Sequence, residues 1–148
     1  MNMKKPEPKS VDEYFHFQKI PTRWMDNDVY QHVNNVIYYS FFDTVVNHYL
    51  IDKGVLNIKK SAIIGLVVET KCNYFSPIEF PDVVNAGLRV TRIGNTSVNY
   101  DVALFNNDEI KAAAQGHFIH VYVDRSSRKP APLTEKMRKA LEDIALRG

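Results

Sequence analysis

Two aspartates, a histidine and three asparagines crowd the entrance to a strongly apolar segment, and their types suit work on a carbonyl group. The chain reads Asp26-Asn27-Asp28, then His32-Val33-Asn34-Asn35, then Val36-Ile37-Tyr38-Tyr39. Asn34 and Asn35 are good first residues for a helix, because their short side chains accept a bond from an otherwise unpaired first-turn amide. A helix N-terminus offers free amides and the positive end of the helix dipole, which stabilise negative charge growing on an attacked carbonyl oxygen. A carboxylate in the preceding loop can supply the other half of the reaction, either by activating water or by attacking the carbon itself. Asp28 is a candidate for that carboxylate, while Asn34 and Asn35 read as helix-start residues rather than as chemical groups. Asp is also common in turns ahead of helices, so spacing alone leaves Asp28 open to a purely structural reading. His32 is open between orienting Asp28 or its water and packing on the helix start. Asp26 reads as a bonding partner for loop amides.

Other residues capable of chemistry are more scattered. Glu69 is an acid on a candidate core strand; it is a candidate substrate contact facing the active site of a dimer partner, or a hydrogen-bonded strand residue. Cys72, the single cysteine, reads as a small buried hydrophobe. His117 and His120 stand three apart on a strand and so point to opposite faces, which does not make a metal site. Both read as structural. No cluster with metal-ligand spacing appears, so neither metal nor organic cofactor is expected.

Something has to position the loop. The pattern predicts a helix over residues 35–53, stopped by Gly54. Its residues Val36, Ile37, Tyr38, Tyr39, Phe41, Phe42, Val45, Val46, Tyr49 and Leu50 cover most of the circumference. Only Ser40, Asp43, Thr44 and Asn47 form a polar stripe, so the helix is expected to be largely buried. At about 1.5 Å per residue it is nearly 30 Å long. Tyr38, Tyr39 and Phe42 are candidate walls for an apolar substrate group. Strands supply the wrapper. A first strand is expected over 14–20, ended by Pro21, and a long one over 62–75. Strict alternation follows over 84–91 and 98–104, joined by a two-residue Gly94-Asn95 hairpin turn. Asn106-Asn107-Asp108 marks a second tight turn, and a final strand is expected over 110–124. Thr134 then caps an amphipathic helix over 135–146. This order predicts an α+β architecture, one curved antiparallel sheet wrapped around a long central helix. Residues 1–12 read as a flexible lead-in and 13–148 as one domain.

Composition bounds the partners. With 45% hydrophobic and 24% charged residues, eight Tyr and eight Phe, the chain is that of a globular protein rather than a disordered one. A net charge of only +2, without a basic block, does not point to nucleic acid. No stretch is long and apolar enough to span a bilayer. The polar start of the chain lacks the apolar core of a signal peptide, so a cytoplasmic location is expected.

The string D-x-D-x-x-x-H-V-N-N, followed by Tyr38-Tyr39, resembles the acyl-CoA thioesterase branch of the hotdog superfamily, of the 4-hydroxybenzoyl-CoA thioesterase type. Val68-Glu69-Thr70 through Phe80-Pro81-Asp82 and Arg92-Ile93-Gly94-Asn95 continue the likeness, which covers roughly residues 14–125. The resemblance implies a hotdog fold and hydrolysis of an acyl-CoA thioester. It implies Asp28 as catalytic carboxylate and a carbonyl-polarising amide near Asn35. It also implies a homodimer, or a dimer of dimers, with the acyl-CoA substrate as its small-molecule partner. Arg89 and Arg92 are guesses for the coenzyme A phosphates. Two other readings stay open: a hotdog hydratase or dehydratase acting on acyl thioesters, and a non-catalytic module that only binds them. An unpaired sheet edge independently asks for a covering partner.

Overall fold

The computed structural model describes residues 5–146. Five strands, β1 (His16–Pro21), β2 (Ile63–Tyr74), β3 (Val83–Ile93), β4 (Ser97–Asn106) and β5 (Ala114–Asp124), form one antiparallel sheet. Its spatial order is β1-β3-β4-β5-β2. The helix α1 (Asn35–Asp52) lies between β1 and β2 in sequence, and α2 (Glu135–Glu142) closes the described chain.

The alternation of β3 and β4 decides which face is covered. Val84, Ala86, Leu88 and Val90 join Val98, Tyr100, Val102 and Leu104 in the core beneath α1. From the helix come Tyr38, Phe41, Phe42, Val45, Val46, Tyr49 and Leu50. Bulges at Val67/Glu69 on β2 and Val90/Arg92 on β3 add local twist and help the sheet curve. The other face carries a smaller cluster of Tyr14, Ala103, Phe105 and Ala112. Beside it Arg89 Nε donates to Asp101 Oδ2 at 2.7 Å.

Several local expectations shift. α1 is buried on one side only. Val36, Ser40, Asp43, Thr44, His48 and Ile51 are exposed, because the sheet covers the helix from one side rather than encircling it. The Gly94-Asn95 turn is not a two-residue hairpin. Ile93 pairs with Val98, leaving four residues between, closed by Gly94 N donating to Ser97 O. β5 begins at Ala114 and not at residue 110, since Lys111 forms a bridge to Ser10 instead of joining β2. α2 ends at Glu142. Of the expected lead-in, residues 1–4 lie outside the described residues. From Glu7 onward the segment is tied to β5: Gln115 accepts from Lys9 N and donates to Glu7 O. Arg89 is committed to Asp101 and to the Glu13 carbonyl, so it is not free to meet a phosphate.

Candidate functional site

The loop ahead of α1 is built from the inside out. Asp26 is buried, and its carboxylate accepts from Arg23 N, Nε and Nη2 at 2.7, 3.1 and 2.8 Å. Its carbonyl accepts from Asn34 N. Asp26 is therefore the anchor that fixes where the helix starts. Asn27 and Val33 form a bridge, and Asn27 Oδ1 accepts from Phe80 N. Asp28 N donates to His32 O, and Gln31 closes the turn with a positive φ of 66°. One oxygen of Asp28 accepts from Tyr30 N at 2.8 Å. No other hydrogen bond reaches the carboxylate among the described residues, and the residue is half-buried.

At the helix start, Asn34 Oδ1 accepts from Val36 N at 3.0 Å and its carbonyl accepts from Ile37 N. The Asn35 amide is left without a partner among the described residues. That is an available donor at the positive end of an 18-residue helix, the feature that carbonyl polarisation requires. Asn34→Ala should cost about 1 kcal/mol of stability, read as a lower urea midpoint at unchanged slope.

Two clefts flank this loop. One, of about 270 Å³, is lined by His32, Val33, Asn35, Tyr38 and the end of β2 with its exit, Tyr74, Phe75, Ser76 and Pro77. The second, of about 560 Å³, is lined by Trp24, Met25, Asn27, Asp28, Val29 and Gln31. The structure thus brings His32, Asn35 and Tyr38 together, while Asp28 opens into the neighbouring cleft. Apolar side chains stand in solvent around both: Val29 is 90% exposed, Tyr30 78%, Trp24 76% and Val36 73%.

The remaining candidates separate. Tyr38 is buried against Tyr74, ring centres 5.0 Å apart, and desolvation raises its phenol pKa. Tyr39 is half-buried and packs edge-on to Phe42. Phe42 is fully buried against Phe118 and lines neither cleft. Glu69 is not at the helix end of its own chain. It lies on the opposite face of the sheet, 2.8 Å from His117 Nε2, in a separate cleft with Lys71, Asn73 and Gln115. Burial pushes the Cys72 thiol up to about 11, so it stays protonated at neutral pH and is no ready nucleophile. The residues that sequence reasoning missed here are Trp24, Met25 and Val29. Their exposure is a tertiary fact, and a Trp and a Met beside Asp26 read equally well as core.

No group of three or more His, Cys, Asp or Glu placed to hold a metal occurs among the described residues. No helix among them is long and apolar enough to cross a membrane.

A long helix laid over a curved antiparallel sheet is the arrangement of hotdog-fold thioesterases. Residues 22–141 match the family model of the thioesterase-like superfamily, and the chain belongs to that family. Among solved structures it is similar to the PA5185 protein of Pseudomonas aeruginosa. The two are 50% identical over 95% of this chain and 97% of that one, with a TM-score of 0.91. It is also similar to PA2801 of the same organism, designated a candidate thioesterase, at 25% identity over 86% and 98% of the chains and a TM-score of 0.79. A 1,4-dihydroxy-2-naphthoyl-CoA thioesterase from Synechocystis shares the fold at 17% identity, over 86% and 96% of the chains, with a TM-score of 0.78. No curated protein matches the chain.

Proposed function

We propose that this protein hydrolyses the thioester of an acyl-CoA to the free acid and coenzyme A. The observation that carries the reading is that, among the described residues, the Asn35 amide at the start of α1 has no partner and the Asp28 carboxylate in the loop beside it keeps one oxygen unbonded. In this mechanism the carbonyl oxygen sits on the Asn35 amide, where the helix dipole and the N–H stabilise the charge that forms. Asp28 takes a proton from water as it attacks the carbonyl carbon, or attacks directly to give a mixed anhydride that water then cleaves. The carbon–sulfur bond breaks and the thiolate leaves, a good leaving group that needs no strong acid. Solved relatives named as acyl-CoA thioesterases support the choice of substrate class, as does membership of the thioesterase-like superfamily.

The test is release of free thiol from a panel of short, long and aromatic acyl-CoA substrates. Turnover of at least one is the expected result. Hydration of an enoyl thioester without thiol release would replace this reading with the hydratase one, and tight binding without turnover would replace it with a binding module.

The working unit in this proposal is a homodimer, alone or paired again. β2 is a twelve-residue edge strand with Leu66, Val67 and Val68 exposed along it, and such an edge favours pairing with another strand. Pairing would also account for the exposed apolar residues near Asp28, and for Asp28 and Asn35 opening into different clefts within one chain. Light scattering should give at least twice the 17.1 kDa chain mass, and Val68→Lys should shift the population toward monomer. A wild-type monomer at micromolar concentration would remove the shared-site model.

A further inference from the structure

At the other end of α1 the molecule holds a cavity that this mechanism does not use. It has a volume of about 360 Å³, within the range of small-molecule sites. Leu50, Leu56, Ile58 and Ile64 give it an apolar body, and His120 and Tyr122 stand at its sheet side. Leu50 is fifteen residues along α1 from Asn35, roughly 22 Å at the helical rise. Fully buried Phe42 and Val46, with Phe118, occupy the core between the two ends. This is a different place from the helix N-terminus.

His120 is what makes the cavity more than a packing gap. The residue is 3% exposed, and neither ring nitrogen has a hydrogen-bond partner among the described residues. Leaving such groups unpaired in an apolar setting is costly, so they ordinarily meet a partner. The nearby hydroxyls do not meet it: Tyr100 and Tyr122 are bonded to each other at 2.7 Å. The ring packs instead against the Tyr100, Phe118 and Tyr122 rings. Gly65 lines the same cavity, and a Cβ there would lie 2.9 Å from His120 Nδ1 and 3.0 Å from Tyr122. Only a glycine at this position lets β2 pack this closely on the imidazole.

We propose that this cavity binds a small molecule with an apolar body and a hydroxyl group, the hydroxyl meeting His120. A neutral imidazole has one donor and one acceptor. A hydroxyl can donate or accept, so it satisfies whichever nitrogen faces it. A carboxylate fits less well. The cation near the cavity, Arg125, already gives Nε to the Ser61 carbonyl and Nη2 to the Ile58 carbonyl. The Asn47 amide is likewise bound to Asp43. The ligand class is thus a monocyclic or short-chain alcohol or phenol, and the inference does not depend on thioester hydrolysis.

The experiment compares p-cresol with p-xylene, which differ by a hydroxyl for a methyl, as ligands of the full chain. Binding is read by calorimetry and by the nitrogen chemical shifts of the His120 ring. The wild type is expected to bind p-cresol about tenfold more tightly than p-xylene, the scale of one buried hydrogen bond, with a shift of a His120 nitrogen. His120→Phe should bring the two affinities within about twofold. Gly65→Ala should weaken both ligands, and unchanged circular dichroism would show that each variant is folded. Equal affinities in the wild type, a cresol preference that survives in His120→Phe, or no shift at His120 on saturation would each overturn the proposal.

Discussion

Asp28→Asn should lower kcat/KM for thiol release by about 10²–10⁴, the usual range for a positioned general base. The lower bound corresponds to about 2.7 kcal/mol of lost transition-state stabilisation. The substitution is well suited to isolating chemistry from folding. One Asp28 oxygen accepts from Tyr30 N, and an asparagine oxygen accepts that same bond. What disappears is the negative charge and the ability to take a proton or form an anhydride. The loop should therefore keep its conformation, and the unfolding midpoint should stay within about 0.5 kcal/mol of wild type, as for other surface substitutions. Asp26→Asn is the contrasting variant. Its carboxylate is buried and holds three donors from Arg23, so this change should appear first as lost stability. A fall in kcat with KM nearly unchanged would mean that Asp28 acts in the transition state. Activity within threefold of wild type would move the chemistry elsewhere, with His32 in the Asn35 cleft as the next residue to change.

Local signals carried the helix and the strands into view, and non-local ones did not. The bounds of α1 were legible because both ends are written in single residues, Asn34 bonding Val36 N and Gly54 adopting a φ of 72°. The alternation on β3 and β4 was legible because one face of each meets the helix. Strand order was not, since a period of two says which face is buried but not which strand is next. Thus β1 pairs with β3, and β2 crosses to the far edge beside β5. The start of β5 was misplaced for a similar reason: Lys111 pairs with Ser10, a partner a hundred residues away. The site divides in the same manner. The Asp28 loop was visible as a motif, but its turn depends on Asn27 bonding Phe80 N from another segment. Glu69 was visible as an acid on a strand, and the bulge at Val67/Glu69 is part of the register that sets its face. His120 was correctly set on the face opposite His117. Its cavity could not be foreseen, because its walls come from α1, the segment after it, β2 and β5.

Acid should destabilise this protein through His120 before most carboxylates are involved. Burial alone lowers the His120 pKa from 6.5 to about 4. Between those values the unfolded chain takes up a proton that the folded chain refuses, so stability falls as pH falls. The contribution is absent above pH 6.5, grows as the pH drops to 4, and is then constant. The full difference is about 3 kcal/mol at 1.36 kcal/mol per pH unit, a large share of the 5–15 kcal/mol typical of a domain. The groups facing the ring do not titrate in that window. Tyr100 and Tyr122 have phenols raised by burial. His16 has a lowered pKa for the same reason as His120 and adds a slope of the same sign, so wild type alone is not diagnostic. The comparison is with His120→Phe, which keeps an aromatic ring among Tyr100, Phe118 and Tyr122 and cannot take a proton. Urea unfolding at pH 7.0, 5.5 and 4.0 should show wild type losing about 3 kcal/mol more than the variant between the extremes. Parallel losses would mean that the folded protein protonates His120 as readily as the unfolded chain does. An imidazolium held in that cavity would then need an anion beside it rather than a hydroxyl, so this titration also bears on what the cavity binds.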